Sequence, residues 1–176
     1  NASGDIDLSD VRLNQIQEKI LDIIENCEEE YVYIINGNDT LPQNALLEYA
    51  RYLSKRNDDV VYADECYGDI NNEVIYQYEL KPEFEYIAAF QSLYSGRAVL
   101  WKCAQLHKII EKVSAFEHVD TMLRELFLLS VGEDASISHI PLVLLIKGDN
   151  YRNEKQEKSL LPLMQKLVNK YTKWNG

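Results

Sequence analysis

From Tyr31 to Ile35 five apolar residues run without a break. Asn36, Gly37, Asn38 and Asp39 then form a loop, and a helical pattern opens at Thr40-Leu41-Pro42. An uninterrupted apolar run predicts a strand buried on both faces, as in a parallel sheet. Open α/β sheets bind their ligands at the carboxyl ends of strands. Asn36, Asn38 and Asp39 carry the oxygen atoms that a hard cation or a sugar hydroxyl requires there. The same residue types also suit an ordinary loop that caps the following helix.

The rest of the chain alternates between the two periodicities. Leu13, Ile16, Ile20, Ile23 and Ile24 recur at helical spacing and predict a helix over about Leu8–Glu25, with Ser9 as its N-cap. A second helix is expected near Leu41–Lys55, burying Ala45, Leu46, Tyr49, Ala50 and Leu53, with Pro42 in its first turn. Val60–Ala63 reads as a strand ending at Asp64-Glu65, followed by a loop at Gly68–Asn72 and an edge strand at Val74–Tyr78. A turn at Leu80–Phe84 leads into a short helix through Phe90. Arg97–Trp101 is a further strand, and Leu106, Ile109, Ile110 and Val113 form the inward stripe of the next helix. Helices at Val119–Leu129 and Ser159–Tyr171 flank a long β-type run, Ser136–Ile146, and a polar stretch from Lys147 to Lys158. Alternating strands and helices predict an α/β fold, a mixed sheet flanked by helices.

Composition narrows the possible functions. With 176 residues the chain is long enough for one domain with a substantial core, and residues 1–176 are read as that single domain, with 1–7 an added or disordered start. No apolar run approaches the length needed to cross a bilayer, so direct membrane insertion is not expected. A net charge of −11 disfavours nucleic acid, which needs clustered Lys and Arg. A phosphate-bearing ligand would need a divalent cation or a locally basic pocket to offset that charge. Three widely spaced cysteines, Cys27, Cys66 and Cys103, indicate neither a disulfide framework nor a zinc site, and point to a cytoplasmic protein.

Five segments, in order, resemble the family-2 glycosyltransferases, which use nucleotide-sugar donors. Glu30–Asp39 is similar to that family's strand ending in an Asp-x-Asp or Asn-x-Asp-Asp loop. Asp58–Glu65 resembles the strand that ends in Tyr-Ser-Asp-Glu, and Leu80-Lys81-Pro82-Glu83-Phe84 the Lys-Pro-Asp-Phe segment beside the acceptor. Ser114-Ala115-Phe116 with Asp120 and Leu123-Arg124 is similar to the segment holding the catalytic base. Ser138–Leu144 resembles the final His-Ile-Pro-x-Val-Leu strand. The resemblance implies a partial GT-A-like domain, its acceptor-side half. It also implies transfer of a sugar from a nucleotide-sugar donor to a glycan or glycoconjugate acceptor of the cell surface.

Inverting transfer needs a carboxylate to take the proton of the attacking hydroxyl. It also needs positive charge at the leaving diphosphate, usually Mg²⁺ or Mn²⁺. By the resemblance Asp120 is the base, Asn36, Asn38 and Asp39 form the donor-phosphate loop with Asp39 as metal ligand, and Asp64, Glu65 and Lys81 contact the substrate. Asp120 and Asp64 also have plain structural readings, as a first-turn helix residue and a strand-end residue, and Lys81 one as a solvated turn residue. His139 is read as a satisfied structural histidine, and His107 and His118 as surface residues.

The departures from the family pattern set further expectations. Asn36 and Asn38 stand where carboxylates are usual, so any Mg²⁺ or Mn²⁺ binding should be weak. Val119 replaces the Glu before the base, and Leu145-Ile146-Lys147-Gly148 replaces a late His segment. Nothing before Ile16 resembles the nucleotide-binding front half of the family, so a missing N-terminal half-domain is an expected partner. The alternative function is a non-catalytic transferase-like module that binds glycan or protein.

Overall fold

The computed structural model describes residues 13–26, 28–69, 74–91, 96–113 and 119–148, with positions 165 and 169 in helical conformation. Ser9, residues 70–72 of the expected Gly68–Asn72 loop, Ser114-Ala115-Phe116, His118 and the bulk of the expected Ser159–Tyr171 helix lie outside the described residues.

The elements run in the order α1 (Leu13–Asn26), β1 (Tyr31–Tyr33), α2 (Ala45–Leu53), β2 (Val60–Asp69), β3 (Val74–Glu79), α3 (Tyr86–Gln91), β4 (Val99–Lys102), α4 (Cys103–Ile109), α5 (Val119–Gly132) and β5 (Ile137–Lys147). β2 is the axis of a mixed sheet. β5 pairs with it in parallel along one edge. On the opposite edge two antiparallel strands share its length: β4 lies against Val60–Tyr62 and β3 against Glu65–Asp69. β1 joins β4 antiparallel on the far side. The α/β class and the mixed sheet match the expectation.

Helices cover both faces of the sheet. Val60, Tyr62, Val99 and Trp101 point into a core closed by Ile16 and Ile20 of α1, Leu106 and Ile109 of α4, and Leu123, Leu126 and Phe127 of α5. Val61, Ala63, Ala98 and Leu100 point the other way, onto Ala45 and Tyr49 of α2 and onto Ile140 and Leu144. The apolar run Val60–Ala63 thus reads as it does because alternate side chains meet a helix layer on either face. Each such large side chain contributes roughly 1.5–3 kcal/mol through burial.

Four expectations need correction. β1 ends at Tyr33, is half-buried, and pairs only with β4 among the described residues; Ile35 is exposed. Its apolar run is that of an edge strand with one packed neighbour, not of a central parallel strand. α2 starts at Ala45, after a turn in which the Ala45 amide donates to the Pro42 carbonyl. With only nine residues, it buries a narrow stripe of Ala45 and Tyr49 and leaves Leu46 60% exposed and Ala50 at the surface. β2 does not stop at Asp64-Glu65 but continues to Asp69, so Gly68 and Asp69 belong to a strand rather than a loop. The β5 run is interrupted where Ala63 pairs with Ile140 but Asp64 with Val143, so Pro141 and exposed Leu142 bulge out. A bulge tolerates proline, which has no amide to give the ladder.

Candidate functional site

β3 and β4 meet the same edge of β2 end to end, and charged side chains fill the junction between them at Ala63–Glu65. Glu65 is completely buried there. Its Oε2 accepts from the amides of Arg97 (2.8 Å) and Ala98 (3.0 Å), and its Oε1 from Lys147 Nζ (3.0 Å). Lys81 Nζ lies 3.4 Å from Oε2 and donates to the Ala63 carbonyl at 2.7 Å. Burial pushes the Glu65 carboxyl up, but Lys81, Lys147 and the Ala98 amide more than offset it, and it falls to about 2. Burial lowers the Lys81 ammonium, and the charge of Lys147 lowers it further, against the opposing pull of Glu65 and Glu79. Lys147 has a further carboxylate, Glu79 at 2.6 Å, and lies 4.0 Å over the Tyr67 ring, so its ammonium is held above its ordinary range despite burial.

Asp64 sits beside this cluster. Its Oδ1 accepts from the Lys81 amide (2.8 Å) and lies 2.9 Å from His139 Nε2. The His139 ring stacks on Tyr62 with centroids 4.8 Å apart. The expected satisfied histidine is therefore a partner of Asp64. Exposed His107 lies 3.8 Å from Glu25.

The third group is a bridge across the strand ends. Arg97 donates through Nη1 to Asp39 Oδ1 (2.8 Å), through Nε to Asp120 Oδ1 (2.5 Å) and through Nη2 to Asp120 Oδ2 (2.9 Å). Asp120 stands in the first turn of α5, one helical face with Leu123 and Phe127, which pack into the core. That packing aims the carboxylate at Arg97. Asp39 is placed by its loop. Asn36 accepts the Asn38 amide on its side chain (3.1 Å) and the Asp39 amide on its carbonyl (2.9 Å). The next residue, Thr40, bridges to Ile146 of β5.

The sequence-predicted residues are thus brought together, but not all face outward. Asp39, Asp64, Glu65, Lys81 and Asp120 form one connected network through Arg97 and its amide. Glu65 and Lys81 point at each other inside the sheet, so in this arrangement they support the site rather than reach an acceptor. Of the three aspartates, Asp39 has a side-chain exposure of 0%, Asp64 of 7% and Asp120 of 33%. Asn36 and Asn38 shape the loop that carries Asp39.

A divalent ion at Asp39 does not fit this arrangement. It would need oxygens at about 2.0–2.6 Å, and the oxygens of Asp39 and Asp120 that converge here already receive N–H groups from Arg97. An ion about 4 Å from the guanidinium would meet repulsion on the order of 8 kcal/mol at an effective dielectric of about 20. Among the described residues no group of three or more His, Cys, Asp or Glu side chains is arranged to hold a metal.

Arg97 and Lys147 are the residues of this network that sequence reasoning missed. Arg97 follows Gly96 directly and opens an apolar strand, and that Gly-Arg step was the available signal. A Cβ on Gly96 would lie 1.5 Å from Glu65 Oε1. Gly96→Ala is therefore expected to displace Glu65 and cost about 1–3 kcal/mol as overpacking, or more as the ion network opens. Urea unfolding checks this; an unchanged midpoint would contradict the tight Gly96–Glu65 approach.

The fold, an α/β fold with a mixed sheet flanked by helices, is glycosyltransferase-like. TarS of S. aureus, a glycosyltransferase, shares the fold. Its 1–349 form in complex with UDP aligns with a TM-score of 0.53 and 15% identity, over 82% of this chain and 42% of that one. A second structure of TarS 1–349 gives 0.50 and 15% over 87% of this chain and 51% of that one. A further TarS structure gives 0.52 and 15% over 84% and 26%. The chain therefore spans about half or less of each of these structures, and at this identity the likeness defines the fold alone. No family model matches the sequence, and no curated protein matches it.

Proposed function

We propose that this chain is the acceptor-side part of an inverting, family-2-type glycosyltransferase. It takes a sugar from a nucleotide-sugar donor to a glycan or glycoconjugate of the cell surface, with Asp120 as general base. One observation carries this reading: Asp120 is fixed by both oxygens at the strand ends yet remains one-third exposed, while Asp39 and Asp64 are turned inward. A base must be oriented by a neighbour and still reach the hydroxyl it deprotonates. The transferase-like fold, and the UDP bound by a structural neighbour, support a nucleotide diphosphate as the leaving group. Among the described residues Cys66 and Cys103 are free thiols, which suits the cytoplasm. No helix of the described residues is long and apolar enough to cross a membrane.

The donor site needs more than these elements. The outer edge of β1 pairs with nothing among the described residues, and an upstream nucleotide-binding half would place strands there. The second reading, a non-catalytic module that binds glycan or protein, is favoured by the commitment of Asp39 and Asp120 to Arg97.

Rate depends on holding donor, acceptor and base together, and lost positioning can forfeit about 7–11 kcal/mol of barrier reduction. Donor hydrolysis and transfer are therefore expected to be absent from the 176-residue chain and present in a longer chain carrying the upstream strands. Robust turnover by the short chain would contradict the need for a second half. A longer chain inactive toward every nucleotide sugar would favour the binding module.

A further inference from the structure

Asp39 and Asp120 converge on one point from separate elements, the loop after β1 and the first turn of α5, and a guanidinium occupies that point. We infer that Arg97 is the resident cation of this carboxylate pair, in the place where a divalent ion would otherwise bridge them, so that the site is assembled without Mg²⁺ or Mn²⁺. The inference rests on the transferase reading only for the identity of the ion replaced.

Three features make Arg97 a built element of the site. Its own amide and that of Ala98 are clamped by the Glu65 carboxylate at 2.8 and 3.0 Å. Glu65 can approach so closely only because residue 96 has no Cβ. The guanidinium is nearly enclosed, with 6% side-chain exposure, and Asp39 is fully so. A guanidinium keeps its proton at every ordinary pH, so the positive charge is permanent. Its planar fork matches Asp120 with two parallel bonds while Nη1 spans to Asp39. A metal ion prefers anionic oxygens, and here three of them already point at N–H groups. Asn36 and Asn38 add none, being neutral amides. The loop's reduced acidity and the arginine are therefore two sides of one arrangement: a single positive charge now balances fewer negative ones.

Mn²⁺ binding, followed by electron paramagnetic resonance, tests this without any transfer readout. Wild-type protein is expected to leave Mn²⁺ free at stoichiometric concentrations. Arg97→Met keeps much of the aliphatic volume and removes the charge, so Asp39 and Asp120 should now take the ion at least about tenfold more tightly. Adding Asp39→Asn to that variant should abolish the gain. Stoichiometric Mn²⁺ binding by the wild type would overturn the inference, as would a folded Arg97→Met that gains none. Should Arg97→Met be unfolded in the absence of metal, Mn²⁺ is expected to restore its structure by mass action; failure to do so also overturns it. Because Mn²⁺ affinity is read directly, a negative transfer assay leaves this result standing, and a negative titration leaves the transferase reading standing.

Discussion

Glu65→Gln is expected to destabilise the fold by about 3–5 kcal/mol, the typical cost of breaking a buried ion pair by removing one partner. The carboxylate is fully buried and receives two amides and one ammonium, with a second ammonium at 3.4 Å. A Gln can still accept from the Arg97 and Ala98 amides, but its NH₂ would face lysines that have no water to turn to. Lys147 keeps Glu79, so the larger share of the loss falls on Lys81, whose ammonium then has only the Ala63 carbonyl and a distant charge. Against a total stability of about 5–15 kcal/mol, such a loss is severe.

The same group sets a pH dependence whose sign follows from its depressed carboxyl. Folded Glu65 titrates at about 2, against 4.5 for the ordinary group. Between those values the unfolded chain binds more protons than the native one, so stability rises with pH there. The contribution, about 3 kcal/mol, is complete above pH 4.5 and is lost as pH falls toward 2. Urea unfolding of wild type and Glu65→Gln at pH 7 and pH 3 checks both statements. The gap between them should narrow at the lower pH. A variant within 1 kcal/mol of wild type at pH 7 would show that Glu65 is not the organising charge of the β2 edge.

The second large effect is expected at Asp120. In a longer chain that turns over, Asp120→Asn should lower kcat by about 10²–10⁴-fold, the usual contribution of a positioned base, with KM little changed. An amide cannot take the acceptor proton. Its Nδ2 would also confront the Nε or Nη2 of Arg97, so one of the two parallel bonds is lost as well. The control is His107→Gln, a change at an exposed side chain whose partner is Glu25 rather than any member of the Arg97 network, which should leave turnover intact. Undiminished kcat in Asp120→Asn would remove Asp120 as the base and favour the binding-module reading.

Local pattern was enough to read much of the scaffold. Val60–Ala63 announced a strand, Val74–Tyr78 an edge strand, and Leu106, Ile109, Ile110 and Val113 a single inward stripe. These are consequences of side-chain periodicity, which survives whatever packs against it. His139 was legible for a similar reason, since a lone histidine in an apolar strand needs a polar partner nearby. The failures lie where a neighbour decides the outcome. Tyr31–Ile35 has the composition of a central strand, yet its burial depends on which strand lies beside it. Asp64-Glu65 looked like a strand end because charged residues usually are; the strand continues through them because Lys81 and Lys147 arrive from elsewhere to neutralise Glu65, and His139 and the Lys81 amide meet Asp64.

By itself the sequence determined the α/β alternation, the helix stripes, the acidity of the chain and the residue types at the strand ends. Each follows from a residue and its near neighbours. The tertiary structure decided which of those side chains face solvent and which face one another. Arg97 meets Asp39 across 58 positions and Asp120 across 23, and Lys147 meets Glu65 across 82. Nothing local links such partners. They meet because β3 and β4 end against one edge of β2 while β5 brings Lys147 along the other, and a buried carboxylate at that junction can stay charged only where cations converge on it.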